Sequence, residues 1–358
     1  MSEADQKQFV RGLVVGKFSP LHRGHELVIQ RAFEMCREVV LISYSKPEFP
    51  GCEADRREKW LADLFPEATR LVATDQRMRE WFPAGDINLP SNEDDDLIHR
   101  RFTGFLCLKK LGFSVDAVFT SEAYGDGFAL ELTSYFREHA PSAPVVRHIL
   151  VDRERKQAPI SGARLRADLE SNRQWLSPLV YQSFVRRVCI LGGESSGKST
   201  LAEALARRLG TVHVAEYGRE LWEEKDGALM YEDMLRIGRR QVAAEDQACR
   251  QAKRFLFCDT SPLTTLFYSR HLFQRADPRL EELADRRYDL VVLCGNDIPF
   301  VQDGTRQDEK FREHQQNWYV EQLNRLGMPF LEVTGNVSAR IAQISERLGS
   351  PLSLTPRL

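Results

Sequence analysis

The chain has 358 residues, 42% of them hydrophobic and 28% charged, with a formal net charge of -2. That length exceeds what a single hydrophobic core usually serves, so two domains are expected, and the balance excludes wholesale disorder. The near-neutral charge offers nucleic acid no bulk attraction, no apolar run approaches the roughly 20 residues that cross a bilayer, and the opening MSEADQKQF lacks a signal core, so a cytoplasmic protein with neither membrane insertion nor DNA binding is expected.

The apolar run Leu13, Val14 and Val15 predicts a strand, followed by a loop punctuated by glycine and proline. Val28, Ala32 and Met35 then recur at helical spacing. Strand-like runs return at 39–43, 70–74, 115–120 and 145–151 with helix-length segments between them, which predicts an α/β domain with a parallel sheet. Between them, the acidic stretch from Glu93 to Asp96 reads as a solvated loop or helix cap rather than a metal site. A second strand-loop-helix series starts at 187–191 and continues at 255–259, 288–294 and 328–334. The boundary is expected near 180–186, giving domains at 1–183 and 184–358. The seven cysteines, Cys36, Cys52, Cys107, Cys189, Cys249, Cys258 and Cys294, form no C-x-x-C pair and read as reduced thiols. Three of them, Cys189, Cys258 and Cys294, lie inside apolar strand-like runs and read as core residues.

The loop after the first strand, GKFSPLHRGH, runs from Gly16 through Lys17 and Phe18 to His22, Gly24 and His25. Glycines let a backbone approach phosphate and a helix N-terminus favours anions, so a triphosphate fits there with both imidazoles as hydrogen-bond donors. A His-x-x-His pair also suits a metal, but the whole G-x-F-x-P-x-H-x-G-H string favours the phosphate reading. The string resembles the fingerprint of the nucleotidyltransferase superfamily, whose members adenylylate nicotinamide mononucleotide, pantetheine phosphate and similar substrates. The resemblance implies that His22 and His25 stabilise charge on the attacked α-phosphate and that Lys17 neutralises phosphate charge. It also implies direct in-line attack on ATP, with Mg²⁺ bridging the triphosphate through phosphate and water oxygens. The second motif of that superfamily, I-S-x-T-x-x-R, stands here as residues 160–166, with Ser161 and Arg166 matching and Ala163 in place of the threonine. One hydroxyl contact is missing, while main-chain N–H groups at the helix start stay available.

The second phosphate-type loop is Gly192, Gly193, Glu194, Ser195, Ser196, Gly197, Lys198 and Ser199, followed by Thr200. It fits G-x-x-x-x-G-K-[ST] between a strand and a helix, the setting in which that motif cradles ATP phosphates. Lys198 would reach the β- and γ-phosphates and Ser199 would hold Mg²⁺. Asp259 ends the apolar run FLFCD, where a carboxylate contacting Mg²⁺ is expected; its alternative is a helix cap before Ser261 and Pro262. Glu216, after a strand-like VHVA, resembles the acceptor-site carboxylate of nucleoside kinases, taking the proton of a 5′-hydroxyl or binding ribose, with a surface salt bridge as the alternative. Residues 300–312 have the composition of a closing lid. Arg306 and Arg312 are its candidate clamps on the transferring phosphoryl group, against a reading as solvated helix-face residues. Trp81 is a candidate for stacking on nicotinamide, with a core or surface role as the alternative.

Both halves in this order resemble the NadR family, which joins a nicotinamide-mononucleotide adenylyltransferase to a ribosylnicotinamide kinase. SEAYG at 121–125, VDRERKQAPISG at 151–162 and GGESSGKST at 192–200 carry the likeness. It implies an N-terminal Rossmann-like nucleotidyltransferase domain and a C-terminal P-loop kinase domain. The substrates implied are nicotinamide riboside, nicotinamide mononucleotide, ATP and NAD, with ATP as co-substrate. About ten residues precede the first strand, so the helix-turn-helix repressor segment of some members is expected to be absent. A kinase whose transferase half only senses NAD or ATP, and a fused enzyme for another nucleoside or a pantetheine-like substrate, stay open, as does a homo-oligomer.

Overall fold

A computed structural model describes residues 7–85, 87–122, 124–302 and 306–349. The chain divides between Ser183 and Phe184 into two compact units. The first contains β1 (Phe9–Val15), α1 (Arg23–Met35), β2 (Cys36–Ser43), α2 (Ala54–Leu64), β3 (Thr69–Val72), α3 (Asp75–Trp81), α4 (Asp96–Phe105), β4 (Ala117–Thr120), α5 (Gly125–His139), β5 (Arg147–Leu150), α6 (Gly162–Ala167) and α7 (Pro178–Tyr181). The second contains β6 (Arg186–Leu191), α8 (Lys198–Leu209), β7 (Val212–Val214), α9 (Tyr217–Glu224), α10 (Tyr231–Cys249), β8 (Phe255–Asp259), α11 (Pro262–Phe273), α12 (Pro278–Ala284), β9 (Leu290–Cys294), α13 (Glu309–Arg325), β10 (Phe330–Val333) and α14 (Val337–Gly349).

Each unit holds a five-stranded sheet, ordered β3-β2-β1-β4-β5 in the first and β10-β9-β6-β8-β7 in the second. All pairings within both are parallel. The fold is therefore α/β throughout. Central parallel strands are covered on both faces, which explains why β4, β8 and β9 are buried along their whole length, while the edge strands β3, β5, β7 and β10 are partly exposed. In β6, Val188 and Ile190 pack into one core with Leu201 and Leu205 of α8, while Cys189 and Leu191 enter a second core with Leu263 and Leu266 of α11. The first unit's main core gathers Leu13, Ile42, Val118, Phe128, Leu132 and Phe136.

In each sheet the first strand lies in the middle, and the chain leaves it for opposite edges. Such a reversal opens a crevice beyond the carboxyl ends of the strands. Both glycine-rich loops lie at that end, after β1 and after β6. Among the described residues all seven cysteines are buried and unpaired, and no helix is long and apolar enough to cross a membrane.

Candidate functional site

The first loop turns sharply out of β1. Gly16 N–H donates to Ile42 O at 3.0 Å, and Phe18 takes a positive φ of 46°. His22 is the N-cap of α1: its Nδ1 accepts from Gly24 N–H at 3.1 Å, and His25 Nδ1 accepts from His22 N–H at 3.3 Å. With both Nδ1 atoms used as acceptors, the proton of each neutral ring sits on Nε2, leaving two N–H donors. The rings stack with centroids 3.7 Å apart, and Phe18 meets His25 edge-on. Burial, helped by the nearby Arg155 cation, pushes His22 down to about 4. Burial also pushes His25 well below its usual range, helped by His22 and Arg155. Both imidazoles are thus neutral donors at pH 7.

They line a cleft of about 240 Å³ together with Gly16, Gly24, Thr120, Glu122, Arg155 and Ser161. Ser161 caps α6, its Oγ accepting from Arg164 N–H at 3.3 Å. Lys17 and Arg166 are both exposed, and the charge of one acts on the other. Arg166 Nη1 donates to Ser19 O at 2.5 Å, and its guanidinium lies 3.8 Å over the Phe49 ring. Partial desolvation, then the Arg166 charge, lowers the Lys17 ammonium. Two like charges acting on one another form an arrangement that an anion relieves.

Elsewhere in this unit, Asp95 accepts from Leu97 N–H at 2.8 Å as the N-cap of α4, so the acidic stretch serves as a helix cap. Trp81, the stacking candidate, packs against the main core and carries Lys110 Nζ 4.6 Å over its ring.

The second loop, residues 192–199, joins β6 to α8. Gly192 has φ 148° and Gly197 φ 79°, and a Cβ on Gly192 would stand 2.9 Å from Cys294 O. Only glycine meets both demands at Gly192. Lys198 Nζ donates to Gly193 O at 3.0 Å. Gln316 and Gln315 of α13 accept from Gly193 and Glu194 N–H at 3.1 and 2.9 Å. Arg340 of α14 is buried beneath the loop, donating to Ser196 O at 2.6 Å, Gly295 O at 3.1 Å and Asp297 Oδ1 at 2.7 Å.

Asp259 is buried at the end of β8, and its Oδ1 makes no hydrogen bond. An orphaned carboxylate oxygen near a P loop suits a divalent cation, so Asp259 and Ser199 fit Mg²⁺. Glu216, at the N-cap of α9, is raised to about 7 by burial and then by Asp259, against the pull of Lys198 and Arg219. Glu216 is thus within electrostatic reach of both Asp259 and Lys198.

Residues 303–305 of the candidate lid, which include its Asp-Gly pair, lie outside the described residues. Of the rest, Arg306 Nη1 donates to Ser195 Oγ at 3.2 Å and also to Val301 O, while Val301 N–H reaches Ser195 Oγ at 2.9 Å. Glu194 accepts from Tyr268 Oη at 2.8 Å and from Gln307 N–H at 2.9 Å. Arg312, read as a clamp or a solvated arginine, is buried under the loop and donates to Ile298 O at 2.9 Å and Glu309 Oε1 at 2.8 Å. Thr120, Gln315, Tyr268 and Arg340, outside the quoted motifs, also stand at the two loops, as does Arg155, which lies within the 151–162 stretch but was given no role there.

Two parallel α/β units, each with a glycine-rich loop beyond its central strand and the second with a P loop, a lysine at the head of α8 and a buried strand-end carboxylate, define a nucleotide-handling protein whose second half is P-loop kinase-like. A family model described as an AAA domain matches residues 187–340. The chain is 31% identical over 351 residues to the trifunctional NAD biosynthesis/regulator protein NadR of Salmonella typhimurium, covering 92% of this chain and 80% of the relative. It is 32% identical over 343 residues to the protein of the same name from Escherichia coli K12, covering 90% and 78%. The chain belongs to the NadR family. Its fold matches a crystal structure of a NadR protein in complex with NAD and AMP-PNP, with a TM-score of 0.64 at 19% identity over 98% of both chains. A NadR protein in complex with NR gives a TM-score of 0.63 at 19% identity over 94% of this chain and 95% of that one.

Proposed function

We propose that this chain is a bifunctional NAD salvage enzyme. The second unit phosphorylates nicotinamide riboside with ATP, and the first adenylylates the resulting mononucleotide with a second ATP, releasing pyrophosphate. The observation that carries the reading is the presence of two separate glycine-rich loops at strand ends in one NadR-family chain, one flanked by two neutral imidazoles and one a P loop. The names of the bacterial relatives and the ligands of the two NadR crystal structures support the choice of substrates.

In the first cleft the mononucleotide phosphate attacks the α-phosphorus of ATP. Negative charge grows on the non-bridging oxygens, and the Nε2–H groups of His22 and His25 are placed to meet it without first losing a proton. Lys17 and Arg166 neutralise the departing pyrophosphate, and Gly16, Phe18, Gly24 and Ser161 shape the ATP seat. In the second unit Gly192, Gly193, Glu194, Ser195, Ser196, Gly197 and Thr200 form the phosphate cradle, Lys198 holds the β- and γ-phosphates, and Glu216 takes the 5′-hydroxyl proton. Asp259 and Ser199 would hold Mg²⁺, which supplies charge neutralisation on the bridging phosphates when bound. Arg306 stabilises the transferring phosphoryl group, and Arg312 braces the lid against the loop.

The two loops should fail independently. Lys198→Ala should abolish riboside phosphorylation and leave adenylylation intact, and His25→Ala should do the reverse. Chromatography of each product reads the result, and loss of both activities in either folded variant would count against two sites.

A further inference from the structure

The carboxyl end of β4 carries an array of Thr120, His148 and Asp126, none of which lies in a recognised motif. Thr120, buried there and lining the first cleft, places Oγ1 2.8 Å from His148 Nε2 on the adjacent β5. His148 Nδ1 lies 2.8 Å from Asp126 Oδ1 in the first turn of α5, and the imidazole is only 6% exposed where the carboxylate is 88% exposed. An ionised carboxylate only accepts, so the Nδ1 proton is held toward Asp126 and Nε2 is turned to the hydroxyl. Thr120 Oγ1 also stands 3.3 Å from Glu122 N and 2.7 Å from Glu122 O. With a neutral ring the hydroxyl donates to Nε2 and accepts from Glu122 N–H; with a charged ring it donates to Glu122 O. Either way one hydroxyl ties His148 to the main chain of Glu122.

The chain of contacts continues to a cation. Glu122 Oε1 accepts from Arg155 Nη2 at 2.6 Å, and the Arg155 charge is felt by both His22 and His25. Arg155 sits at φ 49°, an uncommon conformation for a residue with a side chain. Its turn is held by Asp152, whose carboxylate accepts from the N–H groups of Lys156, Gln157 and Ala158. The Arg155–Glu122 pair is half-exposed on both sides and adds little to stability, so the restraint fixes a position. The array also dictates a residue in SEAYG, because a Cβ on Gly125 would stand 2.1 Å from His148 Nε2.

We infer that Asp126, His148 and Thr120 form a positioning device that holds Glu122, and through it the Arg155 guanidinium, beside the His22–His25 pair, where Arg155 meets the phosphates of the substrate. His148 and Thr120 are positioning residues; Arg155 touches substrate. The inference rests on the transferase reading of the first cleft.

The test is a double-variant cycle on the full-length chain, with NAD formation from nicotinamide mononucleotide and ATP as readout and riboside phosphorylation as control. Arg155→Ala should lower kcat/KM for adenylylation at least about tenfold. Thr120→Val, which removes only the hydroxyl, should cost a comparable factor, and Thr120→Ser should restore the rate to within about twofold of wild type. In the Arg155→Ala background Thr120→Val should add nothing, because both act through one group. Asp126→Ala, a surface change that leaves the core intact, should lower the rate about threefold or more and likewise add nothing once Arg155 is gone; it carries the test if Thr120→Val melts early. A Thr120→Val rate equal to wild type, or losses that multiply in the double variant, would overturn the inference. A wild-type chain that makes no NAD overturns the transferase reading itself, before any variant is compared.

Discussion

Replacing Glu216 by glutamine tests the kinase chemistry through pH. Burial and the adjacent Asp259 raise this carboxyl to about 7, and only its ionised fraction can take the 5′-hydroxyl proton. That fraction is about one half at pH 7, about a tenth at pH 6 and about a hundredth at pH 5. Kinase kcat/KM in the wild type should therefore fall about tenfold per pH unit below 7 and level off near pH 8, whereas an ordinary carboxylate would give a flat profile above about pH 5.5. The amide of Glu216→Gln keeps the shape but accepts no proton, so the rate should drop by about 10²–10⁴ and lose its acid limb. Stability should move the other way. The folded value lies above the ordinary 4.5, so the stabilising contribution of the protonated carboxyl is fully present below about 4.5 and is lost as pH rises through about 7. Above pH 7 the variant should melt later than wild type, by up to a few kcal/mol of relieved burial, and the difference should vanish below pH 4.5. Rates at constant ionic strength from pH 5 to 8.5, with melting curves on the same samples, read both effects. A flat wild-type profile, or a Glu216→Gln rate within about threefold of wild type, would refute the assignment of Glu216 as base.

Arg306→Ala should lower kinase kcat at least about a hundredfold with little change in ATP affinity, since a transition-state arginine contributes on the order of a thousandfold or more while an exposed ion pair contributes under about 1 kcal/mol; a kcat within about threefold of wild type rules the lid arginine out. Ala163→Thr places a hydroxyl on the exposed second residue of α6, after its Ser161 cap, and should lower the KM for ATP in adenylylation by the equivalent of about 0.5–1.5 kcal/mol. A natural chain inactive in adenylylation, and unchanged by Ala163→Thr, would favour a sensing role for the first unit.

Strand positions were legible because the central parallel strands are apolar on both faces, and each of the ten apolar runs named above or in its motif holds a strand. Their edges were less so. The first strand starts at Phe9, four residues before the apolar run, because its register with β2 continues from Val15↔Ile42 back to Phe9↔Cys36. The run at 115–120 yields a strand only from Ala117, since the Asp116 carboxylate is engaged with Val10 and Arg11 N–H. Contiguous motifs placed the two phosphate loops. What surrounds them was not readable, because the signal is a contact between distant positions: Gln315 and Gln316 reach back more than a hundred residues to the P loop, and Arg155 resembles any loop arginine until the fold puts it beside His22. The role of Arg312 depended on burial. The sequence left a clamp and a solvated helix-face arginine as alternatives, and the residue lies buried beneath the loop.

Arg340 bears on the order in which the protein becomes competent. It supports Ser196 from a position 144 residues later in the chain, so the P loop leaves the ribosome well before the side chain that braces it. The first unit, by contrast, has all its described elements by Ser183. Because domains generally fold as they are synthesised, a nascent chain stalled near residue 330 should already present a finished first cleft while its second loop is still unbraced. The riboside site, which acts first in the proposed chemistry, would be the later of the two to assemble.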